Sequence, residues 1–329
     1  MQIYGIDLAM KKFDVHYFDH NNNEKHLVVS NNLKAITKFL NNLPGNVMLC
    51  AEHTGVYGNL LVFLSNQQNI PISLISGYEI KHSLGLTRGK SDKIDAKKIY
   101  EYGIRFNDRL KPFVYEHASL QELKELYILR KQLVKERKML ETHQQAKKHV
   151  PYNSISAHNH ARTVIESLNV SIKGIEAELL EIIEAEPELK QNYDLATSVK
   201  GIGKVTACDL IIKTGNFKII NTARKASSYA GVCPFPNESG TMVRKSRVSS
   251  MGDKSLKALL CLCAKSAILY NKEYRLYFQK KQLEGKPYYL ILNNVSNKLL
   301  RTIYSVIESK KPYDPEYFCT DPRFRKKVA

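Results

Sequence analysis

The residues best suited to chemistry are two aspartates spaced three apart in a basic stretch. Asp92 and Asp95 lie in GKSDKIDA, residues 89–96, where a glycine-containing loop changes to a helical pattern with Ser91 as an N-cap candidate. At this spacing both carboxylates share one face of the first helical turn, and the helix dipole favours their ionised form. The surrounding cations are Lys81, Arg88, Lys90, Lys93, Lys97 and Lys98. Such a stretch suits a site that binds metal and nucleic-acid phosphate together, although two solvated aspartates in a capped helix give the same pattern.

Two further acids favour the metal interpretation. Asp7 lies within an apolar run, residues 3–8, where a buried carboxylate is costly unless a positive charge meets it. A second apolar run, residues 47–51, ends at Glu52, which puts this acid at the edge where open α/β sheets keep their sites. Magnesium prefers oxygen ligands, and paired ions stabilise the attacking and leaving oxygens of phosphoryl transfer. With the aspartate pair, Asp7 and Glu52 therefore predict a site for Mg²⁺ or Mn²⁺.

The elements that must position these acids follow from hydrophobic periodicity. Strands are predicted over residues 3–8, 13–18, 25–30, 47–52 and 70–76, with helices over 31–43 and 58–67 and a last helix from about Asp92. This succession is typical of a ribonuclease-H-like domain, whose metal acids lie on the first strand, the fourth strand and the final helix. We therefore predict an α/β domain of the RNase H-like, RuvC-type fold over residues 1–114.

Two long helical segments are predicted to follow, over residues 115–192. The first, 119–149, has Leu126, Leu129, Leu133 and Leu140 on one stripe. The second, 162–189, repeats apolar residues at spacings of three and four, which is typical of a coiled-coil seam, and the polar stretch 151–160 would connect the two. Two interpretations stay open and do not exclude each other. One is an antiparallel coiled coil within one chain, and the other is an oligomerisation arm.

The remaining residues, 193–329, predict a mainly α domain that faces phosphate. Gly201 and Gly203 lie between two helical stretches in a helix-hairpin-helix-like pattern, in which backbone N–H groups approach phosphate, although a glycine turn between core helices is the alternative. Residues 197–257 contain eleven Lys and Arg but only three Asp and Glu. This excess predicts nucleic-acid binding.

A serine lies within this basic region. Ser239 precedes Gly240 after a loop stiffened by Pro234 and Pro236, and cations follow it. Such a serine can act as a nucleophile on phosphate while the cations stabilise the transition state, although most Ser-Gly pairs in loops are turns.

Composition limits the class of protein. The 329 residues carry 50 Lys and Arg against 32 Asp and Glu, a net charge of +18 that indicates a polyanionic partner. No apolar run approaches the roughly 20 residues of a membrane span, and no basic-then-apolar signal segment begins the chain. We expect a cytoplasmic protein without membrane association. Six cysteines without CxxC pairs read as reduced thiols.

Asp7, Glu52, the GKSDKIDA stretch and the distal GIG and SG segments together resemble the DEDD transposases of the insertion sequence 110 family, over residues 3 to about 267. The resemblance implies a RuvC-type domain joined by a coiled coil to a small transposase domain. It also implies that Asp7, Glu52, Asp92 and Asp95 bind divalent metal and that Ser239 forms a phosphoserine link to DNA. The residues expected to contact nucleic acid are Arg88, Lys90, Lys93, Lys97, Gly201, Gly203, Lys204, Arg244, Lys245 and Arg247.

Members of this family resemble recombinases guided by a structured RNA that the element itself encodes. That RNA pairs with donor and target DNA, so base pairing reads sequence while the protein reads shape. The resemblance further implies a homo-oligomer, from dimer to tetramer, in which the acids of one subunit meet the serine of another. A related branch inverts pilin-gene segments.

Three functions therefore remain as hypotheses: a transposase or site-specific DNA recombinase, which includes the invertase branch; a junction-resolving nuclease without a covalent intermediate; and a structural nucleic-acid-binding protein.

Overall fold

The computed structural model describes residues 1–53, 55–83, 85, 89, 91–113, 118–147, 149–152, 154–239 and 242–315, without the side chains of 243–245. The chain divides into two compact units, Met1–Glu116 and His117–Ala329. Within the described part of the chain, none of the helices combines the length and the apolar composition needed to cross a membrane.

The first unit is a mixed five-stranded sheet with helices on both faces. Its elements are β1 (Gln2–Leu8), β2 (Lys12–Phe18), β3 (Glu24–Ser30), α1 (Leu33–Asn41), β4 (Val47–Glu52), α2 (Asn59–Gln67), β5 (Ile72–Ile75), α3 (Gly77–Ser83) and α4 (Asp92–Arg105). The strand order is β3-β2-β1-β4-β5. β1 is antiparallel to β2 and parallel to β4, and β5 is parallel to β4. This architecture confirms the mixed α/β prediction and is consistent with an RNase H-like domain. The sequence did not predict α3.

Alternating side chains divide the sheet into two cores. Ile6 and Phe13 are fully buried on the face covered by α1 and α2, where Leu40 packs against them. On the other face Ile3 packs with Ile99 of α4. Because residues two apart point to the same face of a strand, Gly5 and Asp7 lie on the α4 face with Ile3.

The second unit is predominantly helical. Its elements are α5 (Ala118–Lys147), α6 (Ile155–Ala185), α7 (Pro187–Ser198), α8 (Lys204–Thr214), α9 (Ala223–Tyr229), β6 (Pro234–Ser239), β7 (Met242–Val248), α10 (Lys254–Tyr270), α11 (Lys272–Leu283) and α12 (Tyr288–Ser309). One core includes Leu123 of α5, Ile183 of α6, Leu210 of α8, Leu260 of α10 and Leu299 of α12.

Helices α5 and α6 run antiparallel within the chain. Arg130 forms an ion pair with Glu176 at 2.6 Å, and Arg137 donates to the Asn169 amide oxygen at 2.7 Å. Residues further along α5 therefore pair with residues earlier in α6, as antiparallel helices require. Leu129, which the pattern places on the buried stripe, is 44% exposed. An oligomerisation role for this helix pair stays a prediction.

The boundaries of the second long helix differ from those predicted. Ser154 caps α6 by accepting the Ala157 N–H at 3.3 Å, so the helix begins at Ile155, inside the stretch predicted as a connection. It ends before Pro187, which begins α7. A proline is tolerated in the first helical turn and not in a helix interior, and the predicted helix to residue 189 is therefore two helices.

Candidate active site

Two parallel strands place Asp7 and Glu52 at the same edge of the sheet. The register of β1 and β4 pairs Ile6 with Ala51, so the next residue on each strand is an acid. Ile6 and Ala51 are fully buried, whereas the two acids are half-buried. The carboxylates therefore lie where the sheet core ends, at the carboxyl ends of neighbouring parallel strands, which is where open α/β sheets bind ligands.

The aspartate pair lies in the first turn of α4. Ser91 is the N-cap, because its hydroxyl accepts the Ile94 N–H at 3.3 Å. Asp92 is exposed and Asp95 is half-buried, so the two side chains differ in how far they face the sheet. Acidic residues are favoured in the first turn of a helix, where the helix dipole presents its positive end.

Gly5 seats α4 on the sheet. A Cβ at this position would overlap the backbone of Ala96 and Tyr100, so a glycine is required for the helix to lie this close. Asp7 is two residues further along β1 on the same face, and Asp95 directly precedes Ala96 on the helix. The close approach at Gly5 therefore brings the first turn of α4 to the acid on β1.

The raised pKa of Asp7 is consistent with acids lying close to one another at this site. Burial and then the charges of Asp95, Asp92, Glu52 and Asp14 together raise the pKa of Asp7 to about 6. A shift caused by several carboxylates requires that their charges lie close to the titrating group. Four other acids thus act on Asp7, three of which the sequence had singled out.

Two lysines partly balance this negative charge. The Lys12 Nζ lies 3.3 Å from a carboxylate oxygen of Asp14 and 3.3 Å from one of Asp92. The Lys98 Nζ lies 2.9 Å from Asp95 Oδ1. Lys12 joins β2 to the first turn of α4, so it helps to hold the helix N-terminus over the sheet.

The predicted metal ligands fit a divalent cation by their chemistry and by their shared electrostatic effect on Asp7. All four offer carboxylate oxygens, which Mg²⁺ and Mn²⁺ prefer. Among the described side chains, however, no three His, Cys, Asp or Glu are placed closely enough to ligate one ion. Glu52 points toward Gly77, where an added Cβ would collide with its carboxylate. In these side-chain positions the acids converge without forming a closed ligand set.

Asp14 is an acid of this site that sequence reasoning missed. It lies directly opposite Asp7 in the β1–β2 register and is only 4% exposed. Its carboxylate meets His26 Nε2 at 2.7 Å as well as the Lys12 ammonium. The signal was present, because a tight hairpin pairs residues symmetrically about its turn and so places Asp14 beside Asp7.

Ser239 lies at the end of a β-hairpin and not in the predicted loop. β6 pairs with β7 antiparallel, and Ser239 is opposite Met242 in the last pair. Every residue of β6 is exposed. Pro234 and Pro236 are compatible with this strand because a two-stranded ribbon has two edges, where a missing N–H breaks no ladder.

Polar side chains of the helices fix the start of this hairpin. The Val232 carbonyl accepts from Asn293 Nδ2 at 2.9 Å and from Asn297 Nδ2 at 3.3 Å. The Lys257 ammonium donates to the Gly231 carbonyl at 2.9 Å. The strand that carries Ser239 therefore begins at a firmly held point on α10 and α12 and extends from it into solvent.

A largely buried ion network includes Asp253, which follows the last residue of β7 by five positions. The Lys213 ammonium lies 2.8 Å from Asp209, which is fully buried, and 3.1 Å from Asp253. Asp253 caps α10 by accepting the Leu256 N–H at 2.7 Å. Burial acts to raise the pKa of Asp253, but the bonds from Leu256 and Lys213 outweigh it and hold the pKa below its usual range.

The predicted glycine turn joins α7 and α8. Gly201 has φ 104°, and a Cβ there would come within 2.8 Å of the Ala267 side chain, so both the turn and the packing on α10 require glycine. Gly203 is the exposed N-cap of α8, and Lys204 begins that helix. Of the two glycines, Gly203 is therefore the one with accessible backbone.

The other residues predicted to contact nucleic acid are unequally described. Lys93 and Arg247 are exposed, whereas Lys97 pairs with Glu24 at 3.0 Å. Arg88 and Lys90 lie outside the described residues. So do the side chains of Arg244 and Lys245, although their backbone is part of β7.

Comparison with known proteins matches most of the chain. A DEDD family model of the IS110 type, described as a transposase, matches residues 4–151, and a model described as the transposase IS116/IS110/IS902 family matches residues 193–279. The pilin gene-inverting proteins of Moraxella lacunata and Moraxella bovis are each 27% identical over 94% of this chain and 97% of their own length. A protein of insertion element IS110 from Streptomyces coelicolor is 24% identical over 43% of this chain and 34% of its own length.

Proposed function

We propose that this chain, which belongs to the IS116/IS110/IS902 transposase family, cuts and rejoins DNA with a carboxylate metal site and a serine nucleophile. The metal site is built from Asp7, Glu52, Asp92 and Asp95, and the nucleophile is Ser239. The divalent ion is Mg²⁺ or Mn²⁺.

The observation that carries this proposal is the group of acids around Asp7. Natural proteins rarely gather carboxylates at a sheet edge without a cation, because like charges there raise one another's pKa and cost stability. Here burial and four neighbouring acids raise the pKa of Asp7 to about 6. A strained group of oxygen ligands beside basic residues supports a site that binds metal and phosphate together.

The roles of the residues follow from their positions. The four carboxylates would hold a divalent ion, and that ion would supply positive charge to the oxygens of an in-line displacement. Asp7 and Glu52 stand on rigid strands, and Gly5 fixes the height of α4 above them. Lys12 and Lys98 orient the aspartates of α4 through their ion pairs.

Ser239 takes the covalent step in this proposal. Its Oγ forms a bond to phosphorus while the bond from phosphorus to a sugar oxygen breaks. The serine hydroxyl loses one proton and the departing sugar oxygen gains one, so atoms and charges balance. Rejoining is the same exchange with a hydroxyl of another strand, and it needs no outside energy source. The exposed hairpin suits this role because a duplex is too large to enter a closed pocket.

We also propose, from the family resemblance, that a homo-oligomer acts on donor and target DNA with a structured guide RNA. In that arrangement the acids of one subunit meet Ser239 of another. The exposed apolar side chains Leu129 and Val170 on the α5–α6 pair support a surface for contact between subunits. Digestion of copurified RNA should abolish recombination and leave folding unchanged.

Trapping of a protein–DNA adduct tests the nucleophile. The protein is incubated with Mg²⁺, plasmid DNA carrying the genomic sequence that flanks its gene, and RNA transcribed from that flank. It is then denatured, and bound DNA is measured. Ser239→Ala should lose the adduct, whereas Ser246→Ala, an exposed serine on the same hairpin, should keep it. An adduct that persists in Ser239→Ala refutes the assignment, and cleaved DNA with no adduct in the wild type favours the junction-resolving nuclease.

Strand cleavage tests the acids. Asp7→Asn should abolish cleavage while DNA binding persists, because one lost ligand disrupts the metal site and leaves the basic surface intact. The matched control is Asp108→Asn, an exposed acid of the same unit. Equal cleavage by the two variants would refute the metal site, and cleavage independent of divalent metal would favour a structural nucleic-acid-binding protein.

DNA inversion is the second candidate function. The Moraxella relatives named for pilin gene inversion match nearly the whole length of both chains. A plasmid with two recombination sites in opposite orientation distinguishes the two outcomes. An invertase reverses the segment between the sites, whereas a transposase moves an element to a new target.

A further inference from the structure

A cavity lies at the foot of the Ser239 hairpin in the second unit. Its volume is about 430 Å³, and its lining residues are Ala223, Arg224, Ser227, Cys233, Asn297 and Arg301. They come from α9, the start of the hairpin and α12. The cavity is therefore built from the same segments that hold the hairpin in place.

Two arginines give the cavity its charge. Arg224 and Arg301 are both exposed, and among the described residues neither has an acidic partner within ion-pair distance. A guanidinium group presents a planar fork of donors that matches phosphate oxygens, and it is less strongly hydrated than an ammonium group. Two such groups at one cavity favour an anionic ligand with several acceptor oxygens.

Two polar residues that line the cavity, Ser227 and Asn297, are held in place by hydrogen bonds. Ser227 is 2% exposed, and its hydroxyl lies 3.4 Å from the Asn297 amide oxygen. The Ser227 carbonyl accepts the Val232 N–H at 2.9 Å and the Cys233 N–H at 3.1 Å, which ties Ser227 to the two residues that precede β6. A ligand here would therefore contact the anchor of the strand that carries Ser239.

We infer that this cavity binds a backbone phosphate of the DNA strand on which Ser239 acts, with Arg224 and Arg301 as its ligands. The inference rests on the proposed function, because it takes the substrate of Ser239 to be DNA. The path from Cys233 to Ser239 is six residues of extended strand, about 20 Å at about 3.3 Å per residue. One DNA strand covers that length in about six nucleotides at about 3.4 Å each. The phosphate bound in the cavity thus lies about six nucleotides from the phosphate that is cleaved. Its binding would fix the distance along the DNA between the helices of the second unit and Ser239.

DNA binding by the full chain tests the inference. Ser239→Ala protein is used throughout, so that affinity is measured without a covalent step. The probes are a 40-base-pair DNA duplex and an RNA hairpin of similar charge. Arg301→Gln and Arg224→Gln should each weaken binding of the duplex by about tenfold and reduce the salt dependence of binding by about one released counterion. The control is Arg162→Gln, which removes the same charge from an exposed arginine on α6 and should change affinity less than twofold.

Cys233 supplies a second readout inside the cavity. Duplex DNA should slow the reaction of the Cys233 thiol with N-ethylmaleimide in Arg162→Gln but not in Arg301→Gln. The half-buried Cys261, which does not line the cavity, is the internal reference.

Equal affinities for Arg301→Gln and Arg162→Gln, or an unprotected Cys233 in the DNA complex, would overturn the inference. Loss of binding to RNA alone would overturn the assignment to DNA. Because none of these measurements depends on cleavage, they can fail while the Ser239 adduct still forms. They can equally succeed if Ser239 proves not to be the nucleophile.

Discussion

Replacing Gly5 by alanine should move α4 and separate the aspartate pair from Asp7. The added Cβ would lie 2.7 Å from the Tyr100 Cα and would also overlap the Ala96 carbonyl. Carbon atoms in contact are about 3.5–4.0 Å apart, so the helix must shift by about 1 Å. Backbone atoms cannot turn away as a flexible side chain can, and the helix must therefore move as a body.

The size of the effect follows from this shift. Overpacking a well-packed core costs about 1–3 kcal/mol, and we expect a loss near 3 kcal/mol because the collision is with helix backbone on two residues. A functional group of side chains must be held to about 0.5 Å, and a displacement of about 1 Å costs about 100-fold in rate. Gly5→Ala should therefore fold, unfold more easily and cleave DNA about 100-fold more slowly.

Urea denaturation and strand cleavage measure the two effects on the full chain. Gly45→Ala is the matched control, because a Cβ at Gly45 meets no atom within 4 Å. Its midpoint and its cleavage rate should stay close to those of the wild type. If Gly5→Ala matched Gly45→Ala in both measurements, α4 would not lie on Gly5, and the argument that brings its aspartates to Asp7 would fail.

Three further predictions concern charge. Burial and the neighbouring acids raise the pKa of Asp7 to about 6, so protonation of Asp7 stabilises the fold, and this stabilisation is lost as pH rises from about 4 to 6. Asp7→Asn should therefore raise the urea midpoint of the metal-free protein when it is measured above pH 6, and should change the midpoint little when it is measured below pH 4. Lys12→Met should tighten Mg²⁺ binding in calorimetry, because it removes an ammonium that competes for the carboxylates, whereas Lys11→Met should not. Lys213→Met should lower the free energy of unfolding by about 3–5 kcal/mol, because it leaves the buried Asp209 carboxylate without its ion pair. Lys218→Met breaks an exposed ion pair and should lower it by at most about 1 kcal/mol. Urea unfolding of the two variants measures this difference.

Hydrophobic alternation was sufficient to predict most of the first unit. The strand ending at Glu52 has the predicted bounds, and β1 and β2 each begin one residue earlier than expected. These strands are predictable because each buries one or both faces, which leaves an alternating or a continuous apolar run in the sequence. Helix α3 lacks such a signal, since Ile80 is its only buried residue in the described part of the chain.

The Ser239 hairpin was not predictable by the same means. All six residues of β6 are exposed, so no apolar pattern marks them, and two prolines argue against a strand in a sheet interior. The hairpin is held in place just before β6, at the carbonyls of Gly231 and Val232. These carbonyls accept hydrogen bonds from Asn293, Asn297 and Lys257, which are distant in sequence. Contacts of that kind depend on tertiary packing and leave no periodic trace.

Asp14 was predictable as a neighbour of Asp7 from the register of the β1–β2 hairpin. A hairpin that places Asp7 on one strand places its opposite residue with a Cβ about 4.5–5.5 Å away, and two carboxylates at that distance require nearby cations. The second strand supplies one of them itself, since Lys12 lies two residues before Asp14 on the same face. The third strand supplies the other as His26. The hairpin thus offsets the charge of Asp14 locally, whereas the charge of Asp7 would be balanced by the proposed divalent cation. Burial and the charges of its acidic neighbours therefore act on Asp7 without such local compensation and raise its pKa.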